Sequence, residues 1–517
     1  MAMANLLPRL NQLGQELQRI TTPFLLFLVS LLLLSIFILF SSSKSGSKLK
    51  SPPSPTKLPL IGNLHQLGTL PHRSLGNLSK KHGPLMLLHL GQVPTLVVSS
   101  AEMAKEVMKT HDSVFCSRPK LTATNKLVYG GYDIGFSPYG EYWRQLRKLS
   151  VQELLSVKRV QQFQYAREEE VGEMVNNIRK ACRGQSPINL SEMLIRASGN
   201  IMSRCVLGRK IVGENGCWFG ELSRTVMTQL MVFSVEDFFP SFRWIDSLTG
   251  LTARLNKTFV KADGFLDLLI EEHRTANKEV DSKDFVDILL QCQKDSMLDF
   301  KLTRDNLKGI LWDMLIGGSD TSSTALEWLM VELLRNSNVM ARLQQEVRRV
   351  VGKKARVEVS DIEQMDYLKC VIKEALRLHP PGPLLLPRET IAAVELGGYH
   401  IPAKTRVLVN AFAIQRDPEL WDRPEEFLPE RFEGHSVDFK GQDFQFITFG
   451  GGRRVCPGMN MAVAAVQYEL ANLVYWFDWK LPSSESVLAE TLDMTEVYGL
   501  TVRKNAHLHV VPLLYSP

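Results

Sequence analysis

The stretch Phe449–Gly458, FGGGRRVCPG, decides how the rest of the chain is interpreted, because it sets one cysteine in a glycine-rich, basic loop. Cys456 precedes Pro457 and an apolar run of helical length, so we expect it at or just before a helix N-terminus, with Pro457 in the first turn. Amides and the dipole at such a terminus stabilise a thiolate, which is a soft metal ligand. The glycines let the backbone pass close to a flat or bulky group. A buried cysteine beside a glycine-rich turn is the alternative.

The composition is that of a folded chain with a modest positive charge. The chain has 517 residues, of which 44 % are hydrophobic and 22 % charged, and its net charge is +6. No dense basic run accompanies this charge, so the sequence does not predict a nucleic-acid partner and instead suits an anionic membrane surface or an acidic protein partner. The seven cysteines are scattered without zinc or redox spacing, and we expect reduced thiols rather than a disulfide framework.

An apolar run near the N-terminus predicts a membrane anchor. Residues 21–40, TTPFLLFLVSLLLLSIFILF, carry no charge, and at about 1.5 Å per residue they reach about 30 Å, the hydrocarbon thickness of a bilayer. A cleaved signal peptide is the alternative, but the run is long and no clean cleavage site follows it. Lysines are more frequent after the run than before it, so residues 1–20 are expected in the lumen and the body in the cytosol. Residues 41–60 are basic and Pro-rich and predict an extended hinge before the body, 61–517.

The body is predicted to be mainly α-helical with small β-sheets. A strand pair is predicted over 85–100, and short strand-like runs return at 395–402, 405–409 and 499–512. Helical periodicity dominates between these runs, and strands and helices do not alternate as they do in α/β proteins.

The predicted helix Gly309–Leu334 carries groups that an ordinary core helix lacks. Gly317 and Gly318 each cost about 1 kcal/mol relative to alanine, which indicates that something approaches the backbone there; a tolerated kink is the alternative. Asp320 and Thr321 add a carboxylate and a hydroxyl to an otherwise apolar helix. Such groups serve positioned proton transfer.

Two pairs of side chains are predicted to share helix faces. Glu374 and Arg377, in KEALRLHP, are spaced i,i+3 and predict an ion pair, although an exposed pair of little energetic value has the same spacing. Trp143 and Arg147, in YWRQLRK, are spaced i,i+4, for which a basic amphipathic helix is the alternative.

Together these motifs resemble the cytochrome P-450 superfamily, and the resemblance covers essentially the whole chain. The cysteine loop is similar to the family's haem-binding loop, KEALRLHP with the later PERF to its Glu-x-x-Arg and Pro-Glu-Arg-Phe motifs, and GGSDTS to its oxygen-activation segment. Details such as FCSRP and WRQLRK look like the plant microsomal A-type clan, near the seventy-one family. The resemblance implies the cytochrome P-450 fold, a haem-thiolate domain preceded by a single N-terminal transmembrane helix.

The resemblance also implies a cofactor, haem b (iron protoporphyrin IX), with Cys456 as the proximal ligand of its iron. A thiolate ligand pushes electron density to the iron and favours O–O cleavage. Contacts to the haem propionates are implied for five residues: Arg118, Trp143, Arg147, Arg388 and Arg454.

The same resemblance assigns roles to the two helix motifs. Thr321 and Asp320 are implied to organise a water and to supply the protons of oxygen activation. Glu374 and Arg377 are implied to form a buried structural network with Arg431 of PERF. Removing one partner from such a network leaves a buried charge unpaired, at a cost of about 3–5 kcal/mol.

A substrate pocket is implied from segments that line it in the family. Its lining is apolar with few charges, which suits a small hydrophobic molecule. For any single leucine of the set, ordinary core packing is the alternative. The residues expected to line the pocket are Ile316, Gly317, Leu384, Leu385, Leu386, Val497 and Leu500.

The function that follows is a membrane-bound monooxygenase that inserts one oxygen atom from O2 into a small hydrophobic substrate, a plant specialised metabolite. Electrons are expected from NADPH through NADPH-cytochrome P-450 reductase, because the chain carries no dinucleotide fingerprint, and Lys440, Arg453 and Arg454 could dock that acidic partner. The expected location is the endoplasmic reticulum membrane, with a single pass through the lipid bilayer and the catalytic domain facing the cytosol. The alternatives are a haem-thiolate dehydratase or isomerase, for example on oximes, and a non-catalytic haem scaffold.

Overall fold

The structure is a computed structural model that describes residues 25–35, 50–184, 186–211, 218–275, 284–295, 299–482 and 492–516. The chain divides into two compact units, Met1–Lys50 and Ser51–Pro517. In the first unit residues 25–35 are helical, whereas the remainder of the predicted anchor and residues 1–20 lie outside the described residues. Among the residues that are described, no helix has both the length and the apolar character needed to cross a membrane.

The Pro-rich segment that opens the second unit packs against the body. Pro52 and Pro55 are buried. The carbonyl oxygen of Pro53 accepts a 2.9 Å hydrogen bond from the backbone N–H of Leu87. This part of the predicted hinge therefore packs along the edge of the body.

Long helices form most of the second unit, which confirms the prediction of a mainly α-helical body. They are α1 (Pro71–His82), α2 (Glu141–Ser150), α3 (Gln164–Cys182), α4 (Leu190–Leu207), α5 (Trp218–Gln229), α6 (Leu251–Thr275), α7 (Phe285–Lys294), α8 (Arg304–Arg335), α9 (Ser337–Val351), α10 (Asp366–Leu378) and α11 (Met459–Trp476). Shorter helical segments are Ala101–Lys105, Asp112–Phe115, Thr122–Leu127, Val157–Gln162, Trp244–Leu248, Val359–Glu363 and Ala411–Ile414.

The β-structure is confined to small sheets, as predicted. The strands are β1 (Leu85–Leu90), β2 (Val93–Val98), β3 (Ile188–Asn189), β4 (Arg388–Glu389), β5 (Val394–Leu396), β6 (Tyr399–Ile401), β7 (Arg406–Val409), β8 (Phe477–Lys480), β9 (Glu496–Val497), β10 (Arg503–Lys504) and β11 (His509–Leu514). The largest sheet has the order β1-β2-β7-β4, in which β2 and β7 are parallel and the other pairs antiparallel. A second sheet has the order β3-β11-β8, and β9–β10 and β5–β6 form antiparallel pairs.

Helix α8 runs through the main hydrophobic core. Its start is fixed by a reciprocal capping box: the Thr303 hydroxyl accepts from the Asn306 N–H over 3.3 Å, and Asn306 Oδ1 accepts from the Thr303 N–H over 2.7 Å. The helix packs against α4, α10 and α11, and it is buried around its circumference because it is apolar on all sides. Gly317 and the residues that come after it lie in the middle of α8, beside the candidate site.

Three helices, α1, α5 and α7, were not expected from the periodicity. In α1 only three residues are buried, His72, Leu75 and Gly76, so its apolar stripe is too narrow to stand out. Pro71 at its first position is the clearest signal for this helix.

Candidate active site

A cavity of about 320 Å³ lies beside the middle of α8. Its wall is built by α4, α5, α8, α10, the loop 134–136, and the loop 448–458 with the start of α11. Most of the wall is aliphatic, and its few polar groups include the Cys456 sulfur, the Thr321 hydroxyl and several guanidinium groups. A mostly apolar cavity with a few convergent polar groups is typical of a small-molecule site.

The loop that carries Cys456 requires its glycines. The Cys456 N–H donates to the carbonyl oxygen of Phe449 over 2.9 Å and closes the loop. Gly450 and Gly452 have φ angles of +71° and +66°, in the region that favours glycine. A Cβ on Gly452 would lie 2.0 Å from the carbonyl oxygen of Met108, so a side chain does not fit there without a backbone shift.

Cys456 lies before the helix rather than within it. Helix α11 begins at Met459, and Pro457 and Gly458 form a turn ahead of it, which corrects the expectation that Pro457 belongs to the first helical turn. Burial raises the pKa of the Cys456 thiol, and hydrogen bonds from the N–H groups of Gly458 and Met459 together with the charge of Arg147 only partly oppose this rise. A bound metal cation, more than the helix terminus, would therefore hold Cys456 as a thiolate.

Arg118 and Arg454 reach the cavity wall with much of their hydrogen-bonding capacity committed to backbone carbonyls. Arg118 Nε donates to Gly135 O over 2.9 Å. Arg454 donates to Cys116 O over 2.8 Å and to Ser137 O over 2.6 Å. Carbonyls are neutral partners, so they orient these guanidinium groups without cancelling their charge.

Asp112 joins a cavity arginine to a surface arginine. Its Oδ1 lies 3.4 Å from Nη1 of the buried Arg388, which lines the cavity. Its Oδ2 lies 2.8 Å from Nη1 of Arg453 and accepts the Arg453 N–H over 3.0 Å. The Arg453 side chain is 48 % exposed, so the ion pair stands between the loop surface and the cavity.

The cavity concentrates positive charge in an apolar setting. Burial lowers the pKa of each of its guanidinium groups, and neighbouring arginine charges add to this effect for Arg118 and Arg454. The pKa of Arg454 is lowered to about 10, so this group remains protonated at neutral pH. Such a cluster favours a ligand that brings carboxylates, since anions stabilise buried guanidinium groups. The cavity-lining arginines are Arg118, Arg147, Arg388 and Arg454.

Trp143 is buried behind Arg454 and is not part of the cavity wall. The guanidinium carbon of Arg454 lies 4.1 Å from the centroid of the Trp143 ring. The indole N–H donates to Ile134 O over 3.0 Å. The indole N–H is thus bonded to a loop carbonyl, and the direct contact expected between Trp143 and a ligand carboxylate stays a prediction.

Two neighbouring residues of α8 differ in their access to the cavity: Thr321 lines it, whereas Asp320 does not. The Thr321 hydroxyl lines the cavity and donates to Gly317 O over 2.6 Å. Asp320 is buried, and its Oδ2 accepts a 2.5 Å hydrogen bond from the hydroxyl of Thr501, which also lines the cavity. Burial raises the pKa of Asp320, and the bond from Thr501 limits that rise.

Comparison with known proteins shows the family. The cytochrome P450 family profile matches residues 52–507, which is most of the chain. The chain belongs to the cytochrome P450 family.

Plant enzymes are among the relatives of this P450. It is 60 % identical over 524 residues to a phenylacetaldehyde oxime monooxygenase of Prunus mume, covering 99 % of this chain and all of the relative. It is 51 % identical over 495 residues to cytochrome P450 71A1 of Persea americana, covering 94 % and 98 %. It is 46 % identical over 497 residues to a strychnine-11-hydroxylase of Strychnos nux-vomica, covering 94 % and 97 %. The placement among plant A-type P450s near the seventy-one family is confirmed.

Solved structures of the family share the fold. A zebra fish cytochrome P450 determined with progesterone superposes with a TM-score of 0.74 at 27 % sequence identity, covering 86 % of this chain and 99 % of that chain. A zebra fish cytochrome P450 determined with abiraterone gives a TM-score of 0.70 at 27 % identity over 86 % of this chain and all of that chain.

The P450 is therefore a haem-dependent monooxygenase, and the residues of its cavity fit that cofactor. The apolar wall suits the macrocycle, the Cys456 sulfur suits its iron, and the arginine cluster suits two propionate carboxylates. When bound, the haem supplies the iron chemistry that activates O2.

Five of the seven predicted pocket residues line the cavity of the P450: Ile316, Gly317, Leu385, Leu386 and Leu500. Leu384 instead packs in a separate core cluster with Leu75, because Leu385 has a φ of +51° and turns the chain between its neighbours. Val497 lies on β9 and faces a second depression beside Arg73. The predictions for Leu384 and Val497 are therefore corrected.

The buried ion network lies behind the site. Arg377 Nε is 2.7 Å from Glu374 Oε2, and both side chains have no exposed surface. Arg431 Nε lies 3.0 Å from Glu374 Oε1, with 10 % of its side chain exposed. One carboxylate thus holds two guanidinium groups, and this ties α10 to the later PERF segment.

Polar wall residues that sequence reasoning did not single out include Asp313 and Thr501. Asp313 lies four residues before Gly317, and this i,i+4 spacing on one helix face was a usable signal. Thr501 follows a late turn, and nothing in the sequence pattern connects it with Asp320.

Proposed function

We propose that this P450 is a membrane-bound haem-thiolate monooxygenase that inserts one oxygen atom from O2 into a small hydrophobic plant metabolite. The observation that carries the proposal is that Cys456 and Thr321 line one apolar cavity. Electrons come from NADPH through a separate NADPH-cytochrome P450 reductase.

The cavity holds the cofactor by a sulfur and by charge. Cys456 supplies the thiolate ligand of the iron, and Trp143 orients Arg454 by stacking on it. Guanidinium groups suit planar carboxylates because they offer paired donors. The propionates are held by Arg118, Arg147, Arg388 and Arg454.

Proton delivery is assigned to α8. Burial raises the pKa of Asp320 towards neutral pH. A larger fraction of this carboxyl therefore carries the proton that it would donate. Thr321 presents a hydroxyl on the cavity wall, where it holds a water or a substrate oxygen in place. Thr501 orients the Asp320 carboxyl through its hydroxyl.

The substrate is held by apolar contacts. Leu385, Leu386 and Leu500 offer aliphatic surface, so a neutral, compact molecule is favoured over a charged one. A relative at 60 % identity is named a phenylacetaldehyde oxime monooxygenase, and this supports a small aryl aldoxime as the first candidate substrate. Dehydration of an oxime without O2 is the second candidate function, favoured by the same relative's oxime substrate.

The membrane and reductase assignments extend the proposal. Residues 21–40 anchor the chain in the endoplasmic reticulum, with residues 1–20 lumenal and the catalytic domain cytosolic, because lysines follow the apolar run. Lys440 and Arg453, whose side chains are 69 % and 48 % exposed, contribute to docking an acidic reductase surface. Arg454 is excluded from this docking set because it is buried.

The test uses the full chain in vesicles with a plant NADPH-cytochrome P450 reductase and a panel of neutral aryl aldoximes and other hydrophobic metabolites. We expect substrate-dependent product that requires both O2 and NADPH. Cys456→Ser should lose the thiolate-type carbon monoxide difference spectrum and all turnover, whereas Cys182→Ser should keep both. Product formed without O2 and NADPH would select the dehydratase, and a normal spectrum with no turnover on any substrate would favour a scaffold.

A further inference from the structure

Backbone N–H groups of the loop 133–137 donate hydrogen bonds to two carboxyl groups, those of Asp133 and Asp313. The N–H groups of Ile134 and Gly135 donate to Asp313 Oδ2 over 2.6 Å and 3.0 Å. The N–H of Phe136 donates to Asp133 Oδ2 over 2.9 Å. The acids of α8 and of the loop itself thus fix three consecutive peptides.

The carbonyls of the same loop hold the haem-side cations. Ile134 O accepts from Trp143 Nε1 over 3.0 Å and from Arg454 Nη1 over 3.3 Å. Gly135 O accepts from Arg118 Nε over 2.9 Å. Each of these peptide groups therefore lies in a chain of hydrogen bonds that runs from an acid to a guanidinium or indole group.

Asp133 is fully buried, whereas Asp313 is half-buried and lines the cavity. Asp133 has no exposed surface, and its Oδ1 has no hydrogen-bond donor among the described residues. Asp133 and Asp313 accept hydrogen bonds from neighbouring peptides of this loop, and the charge of Asp313 raises the pKa of Asp133, so the two carboxyls lie close together. A Cβ on Gly135 would lie 3.3 Å from Asp133 Oδ2 and 3.8 Å from Asp313 Oδ1, so glycine leaves room for both carboxyls. Two carboxylates that share one site resist ionising together, and a hydrogen bond between them needs a proton.

We propose that Asp133 and Asp313 share one proton and form a carboxyl clip that fixes the loop 133–137 and so positions Arg118 and Arg454. In the clip one carboxyl donates to the other, and the remaining oxygens accept the loop N–H groups. Asp133 and Asp313 are positioning residues, since the groups that meet the cofactor are the guanidinium groups they orient.

The charges around the clip agree with this arrangement. Burial raises the pKa of both carboxyls, and for Asp133 the charge of Asp313 adds to the rise. Arg118 and the more distant Arg454 act in the opposite direction, and the Tyr142 phenol faces the pair as a neutral group at neutral pH because burial raises its pKa. As the pH rises through the raised pKa of the pair, the shared proton is lost and the two carboxylates repel. The clip is therefore closed at lower pH and released at higher pH.

The direct test is amide hydrogen exchange of the loop in the holoprotein, from about pH 6 to about pH 9, the range to which burial beside a second carboxylate raises such groups. Asp133→Asn keeps a donor for Asp313 at every pH because an amide N–H replaces the shared proton. At each pH we divide the exchange rate of the peptide 130–137 in the wild-type protein by the rate in Asp133→Asn. We expect this ratio to rise about tenfold or more between the lowest and the highest pH, because losing hydrogen bonds to a charged group reduces protection by about that factor. Asp305→Asn, an exposed acid in the first turn of α8, should behave as wild type.

A rate ratio that stays constant with pH overturns the shared proton. Asp313→Asn provides the same measurement from the other side if Asp133→Asn fails to accumulate, and it should also remove the pH dependence. Asp313→Ala should expose the loop amides at all pH values, and unchanged protection in this variant overturns the positioning role. The readout needs no substrate, reductase or turnover, so it stands apart from a failure of the proposed function.

Discussion

The Thr501 hydroxyl donates a 2.5 Å hydrogen bond to Oδ2 of Asp320, and this bond ties the acid of the central helix to the turn between β9 and β10. The two residues are separated by 181 positions in sequence. Thr501 reaches the cavity and Asp320 does not, so the hydroxyl is the acid's link to the site.

Thr501→Val should lower turnover about tenfold, a part of the ~10²–10⁴-fold effect of a positioned proton donor. The Thr501 bond lowers the pKa of Asp320, so its loss raises that pKa further. The limb of the rate–pH profile that falls as Asp320 ionises should therefore move to higher pH. Thr501→Ser keeps the hydroxyl and should retain the wild-type profile; an unshifted profile in Thr501→Val would exclude Asp320 as the group that titrates.

Glu374→Gln should destabilise the holoprotein by about 3–5 kcal/mol, because Arg377 and Arg431 would lose their shared counter-charge in a buried site. Urea unfolding followed by the haem absorbance measures this loss. Arg342→Leu is the matched control, since Arg342 is 47 % exposed and pairs with Glu430 at the surface, where such pairs contribute about 0–1 kcal/mol. Equal effects of the two variants would contradict a structural role for the buried network.

Gly452→Ala should sharply reduce the yield of haem-loaded protein. Its φ of +66° disfavours a side chain, and the new Cβ would lie 2.0 Å from Met108 O, a backbone atom that does not move aside easily. The ratio of haem to protein absorbance after purification measures the effect. Gly172→Ala, in α3 with open space around its Cβ, should be neutral or slightly stabilising, and a normal haem ratio in Gly452→Ala would show that the loop relaxes.

Gly317→Ala and Gly318→Ala should have different effects although the residues are neighbours. A Cβ on Gly317 meets nothing within 4 Å, so this variant should fold normally and narrow the cavity, weakening the spectral binding shift of bulky substrates. A Cβ on Gly318 would lie 2.6 Å from Met202 Cγ and Sδ, so that variant must displace a flexible side chain that lines the cavity. Thermal unfolding and substrate titration distinguish the two variants. If Gly317→Ala binds large and small ligands equally well, Gly317 does not line the substrate pocket.

Local sequence patterns were sufficient for the fold class and for contacts within one helix. The helical periodicity led to a mainly α-helical body, and the i,i+3 spacing put Glu374 beside Arg377. These features depend only on residues that are close in sequence, so they can be predicted without knowledge of the tertiary structure.

Contacts between distant segments could not be obtained in this way. Leu384 and Leu385 look equivalent in sequence, but the positive φ of Leu385 sends only one of the two to the cavity. Asp133 gives no sign that Asp313 will bind the same loop, since that arrangement depends on how a loop folds over a helix. The start of α11 was placed too early because a proline in a turn and a proline in a first helical turn have the same local sequence.

Asp112 couples the charge at the surface of the cysteine loop electrostatically to the cavity wall. One of its oxygens faces Arg453 at the surface and the other faces Arg388 on the cavity wall. An anionic group arriving from outside would compete for Arg453, and the carboxylate would then be shared less between its two arginines. The potential at Arg388 would become more negative in response, so an event at the exterior would be registered inside without any movement of the backbone.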